Sequence, residues 1–117
     1  MKKQERIDKM VQEIHDDLDH VERMEEPLFD EYTDSTYTSH ICCVDHMYGD
    51  DVIVDVYMIL YELLPNTVEL KCHVSRRNGR ASMVSCIRGS KNNIEKGVAV
   101  LDKVILANIK QVSDIEF

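Results

Sequence analysis

The chain has 117 residues, 44% of them hydrophobic, with 22 Asp and Glu against 14 Lys and Arg and a formal net charge of −8. That length fits a single domain over residues 1–117, and that apolar content supports one packed core and excludes a disordered chain. No apolar run approaches the ~20 residues that span a bilayer, and the charged start Met1-Lys2-Lys3-Gln4-Glu5-Arg6 lacks the apolar stretch of a signal peptide, so a cytoplasmic protein with no membrane partner is expected.

Residues 4–24 read as a helix. Ile7, Val11, Ile14, Leu18 and Val21 recur at spacings of four and three, with Met10 and Met24 widening the stripe. The stripe suits packing on a sheet of the same chain, or a helix pair across a homodimer through Leu18. Pro27 stops the helix. Residues 25–35 form an acidic connector, with Leu28, Phe29 and Tyr32 as its apolar anchors.

The period then changes to two. Tyr37 to Tyr48, Val52 to Leu64, Val68 to Ser75 and Arg80 to Arg88 read as four strands, filling 37–88. Gly49-Asp50-Asp51, Pro65-Asn66 and Asn78-Gly79 read as the turns between them. Asn-Gly between two such runs is a strong hairpin signal, because a type I′ turn needs positive φ twice. Connections this short imply antiparallel neighbours in the order 1-2-3-4. Residues 93–112 form a second helix, with Ile94, Val98, Leu101, Ile105, Ile109 and Val112 at helical spacing. Val100, Val104 and Leu106 broaden its apolar face, and Ser90 or Asn92 caps it. The fold expected is α+β in two layers: a four-stranded antiparallel meander with N- and C-terminal helices, α-β-β-β-β-α, both helices on one sheet face.

On the third strand, Val68, Leu70, Cys72 and Val74 would face the helices. On the second, Val52, Val54, Val56, Met58 and Leu60 form one face. Ile53, Asp55, Tyr57, Ile59, Tyr61 and Leu63 form the other, which is too apolar for a fully wet surface. Tyr57, Ile59 and Tyr61 are therefore candidate interface residues, with Tyr37 and His73 beside them. Cys42, Cys43, Cys72 and Cys86 fall in apolar runs, where reduced, buried thiols are expected.

The charge is concentrated. Asp16, Asp17, Asp19, Glu22, Glu25, Glu26, Asp30, Glu31 and Asp34 lie within nineteen residues, opposed only by Arg23. Outside that segment the two signs balance at thirteen each. Acids near a helix C-terminus oppose the helix dipole, so this placement costs local stability, which favours a use for it. A concentrated field attracts a basic partner, and carboxylates on successive turns imitate phosphate spacing.

Other constellations are weaker. Tyr48-Gly49-Asp50-Asp51 resembles the metal-binding turn of RNA-dependent polymerases over four residues. A polymerase also needs an upstream aspartate motif, a palm and fingers, for which the chain has no room. His40, Cys42 and His46 are zinc-type ligands on one expected strand face, but there is no Cys-x-x-Cys pair, and no metal or cofactor is expected. Arg76, Arg77 and Arg80 at the Asn78-Gly79 hairpin are candidate phosphate ligands. The α-β-β-β-α order also occurs in double-stranded-RNA-binding domains. The extra strand, the acidic balance and the missing lysine-rich helix start depart from them, so direct nucleic-acid binding is disfavoured. No nucleophile elbow, phosphate loop or zinc-protease motif occurs, and no enzyme is expected.

The leading expectation is a small acidic, non-enzymatic interaction protein. It would act as an inhibitor or nucleic-acid mimic, in the manner of small viral inhibitors, on a basic surface such as that of a nucleic-acid-binding protein. A nucleotide or phosphate binder using the arginine hairpin, and a homodimeric chaperone-like assembly protein, are the alternatives.

Overall fold

The computed structural model describes residues 1–29, 35–42 and 44–114. Its elements are α1 (Lys3–Arg23), β1 (Thr36–Ile41), a 3-10 helix (Val44–Met47), β2 (Val52–Tyr61), β3 (Leu64–Arg76), β4 (Ser82–Ser90), a 3-10 turn (Lys91–Asn93) and α2 (Ile94–Asp114). The four strands form one antiparallel sheet in the order β1-β2-β3-β4, the meander expected.

Alternation produces the sheet's inner face. β2 alternates buried and half-buried residues along its whole length, with Val52, Val54, Val56, Met58 and Leu60 inward. Val68, Leu70, Cys72 and Val74 of β3 join them. Branched residues dominate this face because they pack well on a pleated surface. From above, α1 contributes Ile7, Met10 and Ile14, and α2 contributes Ile94, Val98, Leu101, Ile105 and Val112. These side chains form one contiguous cluster.

The helices run antiparallel. Arg6 of α1 meets Asp102 of α2, while Asp8, Val11 and Gln12 line a cleft with Glu95 and Ala99. Serine caps the entry to α2: the Ser90 hydroxyl accepts from the Asn92 N–H at 3.1 Å.

Several sequence expectations need correction. β1 stops at Ile41 instead of reaching Tyr48, and Val44–Met47 is a 3-10 helix. Ile41, Val44 and Met47 are three apart and all buried, which is the 3-10 period and not the strand's. β2 ends at Tyr61, and the turn is Glu62-Leu63. Pro65 and Asn66 open β3, where proline near a strand start costs no central ladder bond, and the register shifts between Leu60 and Tyr61. Tyr37 pairs with Leu60 and so lies on the helix-covered face, not beside Tyr57. Val100 and Leu106 are exposed. Cys42 and Cys86 are exposed too, leaving Cys72 as the buried thiol among the described residues. Tyr32 and Cys43 lie outside the described residues.

Candidate functional site

Asp16, Asp19 and Glu22 recur every three residues, so each steps about 60° around α1 and all three stay on its solvent side. They are exposed, as are Glu25 and Glu26 beyond the helix end. Asp17 falls a further 100° round. It lands where α1 meets β1 and accepts a hydrogen bond from the Ser39 hydroxyl at 2.7 Å. Asp16 accepts from the Gln12 amide at 2.8 Å. Among the described residues the ion pairs are Arg6–Asp102, His40–Asp55 and Arg88–Glu69, and none draws on these acids. Asp30, Glu31 and Asp34 lie outside the described residues. Leu18, on the same helix, is half-buried against the chain's own core.

The arginine hairpin stands far from this surface. Asp17 touches Ser39, which pairs with Met58, while Arg76 pairs with Val52. The two rungs are six residues apart on β2, roughly 20 Å at the usual strand rise. Met10 reaches Tyr48 and Asp17 reaches Ser39, so α1 runs away from the hairpin and its last turns are more distant still.

At the hairpin, Arg77 donates through Nε to the Asp50 carbonyl at 2.6 Å and through its backbone N–H to the Asp51 carbonyl at 3.1 Å. Arg76, Arg77 and Asn78 line a shallow cavity of about 370 Å³ with Asp50, Asp51 and Ser113. Two carboxylates in the same cavity oppose an anionic ligand. Arg80 is exposed at the tip, where its backbone N–H donates to the Asn78 side chain. The Tyr48-Gly49-Asp50-Asp51 string is a turn, with Gly49 at φ +103°.

The helix-free sheet face carries polar pairs between half-buried apolar residues. Tyr57 stacks against His40 with ring centres 5.0 Å apart, and the Lys71 ammonium sits 5.7 Å from the Tyr57 ring centre. His40 Nε2 lies 3.1 Å from Asp55. The Tyr61 hydroxyl donates to Glu69, and the Arg88 guanidinium covers the Tyr61 ring at 4.9 Å. The Glu69 hydrogen bond is the main cause that raises the Tyr61 hydroxyl's pKa. Ile59 lies between Tyr57 and Tyr61 on this face. Both tyrosine rings therefore already have cations over them. The expected sharing of a face by His40, Cys42 and His46 fails because the strand ends at Ile41. No three metal-ligating side chains converge among the described residues.

One constellation was not anticipated from sequence. Asp102 is fully buried, with Arg6 Nε at 2.9 Å from one carboxylate oxygen and the second guanidinium arm at 3.1 Å from the other. The Tyr48 hydroxyl donates to the same carboxylate at 2.7 Å. Burial works to raise the Asp102 pKa, but the hydrogen bonds from Arg6 and then Tyr48 outweigh it and the net shift is downward. Tyr48 is raised, by burial first and by Asp102 second. The signal was available: Asp102 falls on the apolar stripe, four after Val98 and three before Ile105. The network holds α1, α2 and the turn after the 3-10 helix together. A second buried amide, Asn108, donates to Ser85 Oγ at 2.9 Å and lies 3.9 Å from Cys72 Sγ. Burial raises the Cys72 thiol, the reverse of what a nucleophile needs.

Comparison of the chain with protein-family models, with curated proteins and with solved structures found no match. Among the described residues, no helix is long and apolar enough to cross a membrane.

Proposed function

We propose that this chain is a non-enzymatic protein-binding module that docks the acidic C-terminal half of α1 on a basic partner surface. The observation that carries the reading is the exposure of Asp16, Asp19 and Glu22 on α1 and of Glu25 and Glu26 just beyond its end, with no ion pair among the described residues, the helix running away from the arginine hairpin. Unneutralised like charges on one surface raise the on-rate for a partner of opposite sign. A partner whose basic surface ordinarily holds nucleic acid fits best, which makes the chain a competitor for that surface. The exposed thiols of Cys42 and Cys86 fit a reducing, cytoplasmic setting.

The test is a pull-down from the native host at about 50 mM and 500 mM salt. It compares the wild-type chain with one carrying Asp16→Asn, Asp19→Asn, Glu22→Gln, Glu25→Gln and Glu26→Gln. A partner retained by the wild type at low salt, lost at high salt and lost from the variant is the expected result. Undiminished capture by the variant at low salt would overturn the reading. Displacement of DNA or RNA from the captured partner by the wild-type chain then separates competition for a nucleic-acid site from docking elsewhere.

A further inference from the structure

The sheet order ends at β4, and little in that strand guards its outer edge. Ser82–Ser90 runs nine residues with neither proline nor lysine, and Arg88 is its one charge. Its register with β3 has no bulge. Edge strands of monomers ordinarily carry such guards.

Above this edge α2 presents a second seam. Asp102, Glu95 and Ala99 face α1, so the opposite flank of α2 looks outward over β4. Gly97, Val100, Val104, Ala107 and Gln111 occupy that flank at spacings of three and four, uncharged throughout. Val100 is 44% exposed; on the sheet's other, helix-free face, Val84 of β4 is 55% exposed. An open groove of about 270 Å³ lies along the α2 flank, with Ile87, Arg88 and Gly89 on the strand side and Lys96, Gly97 and Val100 on the helix side.

We propose that a second copy of this chain covers the edge. β4 pairs antiparallel with its own copy about a twofold axis at Cys86, and α2 packs on its copy about Val104. The sheet becomes eight-stranded and continuous, with four helices on one face.

The two axes coincide. Asn108 bonds to Ser85, while Gly97 and Val100 border Ile87, so Val104 lies over the middle of β4. The spacing also closes. α2 packs on both β3 and β4, so its axis lies near the line midway between them. That line is about 4.8 Å from a twofold axis placed half a strand spacing beyond β4. The paired helices then stand roughly 10 Å apart, at the upper end of the usual packing distance.

Charge fits as well. With Cys86 opposite its copy, Arg88 faces Val84 of the second copy and no like charges meet in the ladder. About Val104, Lys96 lies opposite residue 112 of the second copy, two residues or roughly 3 Å of helix rise from Asp114, so each Lys96 approaches the second copy's Asp114. Lys103 and Lys110 are exposed and lie about a quarter-turn away from the seam. The acidic turns of α1 remain open in this arrangement and are presented twice.

Cys86 supplies the probe, because residues directly opposite in an antiparallel ladder lie about 4.5–5.5 Å apart at Cα, within disulfide reach. Sedimentation equilibrium of the full chain under reducing conditions should give about twice the 13.6 kDa chain mass. Diamide oxidation should give a dimer on a non-reducing gel that disappears with Cys86→Ser and persists with Cys42→Ser. Cys86→Arg sets two guanidinium groups against each other on the axis and should weaken association at least about tenfold with an unchanged circular dichroism spectrum. Val100→Glu, at an exposed site, should do the same from the helix layer and decides alone if Cys86→Arg fails to fold. A chain that remains monomeric at about 100 μM overturns the proposal. So does a dimer whose cross-link does not require Cys86, or one indifferent to both folded variants.

Discussion

Asp102 places a carboxylate between the two helices with no solvent contact, and its geometry explains how the fold tolerates it. A buried charge is costly unless paired and fully hydrogen-bonded. Here the Arg6 fork takes both oxygens and Tyr48 takes a third bond. Asp102→Asn leaves the guanidinium without its counter-charge and should cost about 3 kcal/mol in urea unfolding. The pH dependence has a definite sign. A carboxyl whose folded pKa is depressed stabilises the native state at pH above the unfolded value of about 3.9 and loses that contribution as pH falls through the folded pKa. The stability gap between wild type and Asp102→Asn should therefore be level from pH 7 to about 5 and shrink below about 4. A gap unchanged at low pH would refute this account.

Each element was legible to the degree that its period was pure. Both helices and the alternating strands β2 and β3 announce themselves, because burial on one face imposes a spacing that little else produces. The reversal at Asn78-Gly79 was also plain, although it is not the type I′ turn expected: the Gly79 N–H donates to the Arg76 carbonyl at 2.8 Å, the loop runs over residues 77–80, and β4 starts at Ser82 rather than Arg80. Gly79 has φ +77°, and a side chain added there meets no atom within 4 Å, so the constraint is backbone conformation alone. Gly79→Ala should therefore cost about 1 kcal/mol, read as a shift in the urea midpoint without a change in slope. Elsewhere local rules competed. Pro65-Asn66 looks like a turn, yet the long β3 takes it into a bulge between the Tyr61–Leu64 and Leu60–Val68 pairs, and the chain reverses at Glu62-Leu63. Apart from Asp17, which meets β1, the acidic candidates on α1 fell on its exposed side because they fill the positions its apolar stripe leaves. The Asp102 network was missed because a carboxylate on an apolar stripe has no visible partner until the fold brings Arg6 and Tyr48, 96 and 54 residues distant, to it.

At the scale of the molecule, the arginine hairpin and the acidic end of α1 stand apart along the sheet's long direction. The two are too far apart for mutual neutralisation across a screening length of about 8–10 Å. Self-repulsion among the acids is then uncompensated, and it acts at the end of the helix that already carries negative dipole charge. Glu22→Gln, Glu25→Gln and Glu26→Gln together should raise thermal stability by about 0.5 kcal/mol in low salt, with the gain vanishing near 1 M salt. A loss of stability would mean that these side chains serve the fold.

The Asp17–Ser39 hydrogen bond has a consequence for recognition. It pins the middle of α1 to the edge strand, so Asp16 and Asp19 on either side cannot roll to follow a visitor's contour. Their geometry is preorganised, and association sacrifices little backbone entropy. A partner must bring the matching shape itself, so any adaptation on binding belongs to its side of the contact.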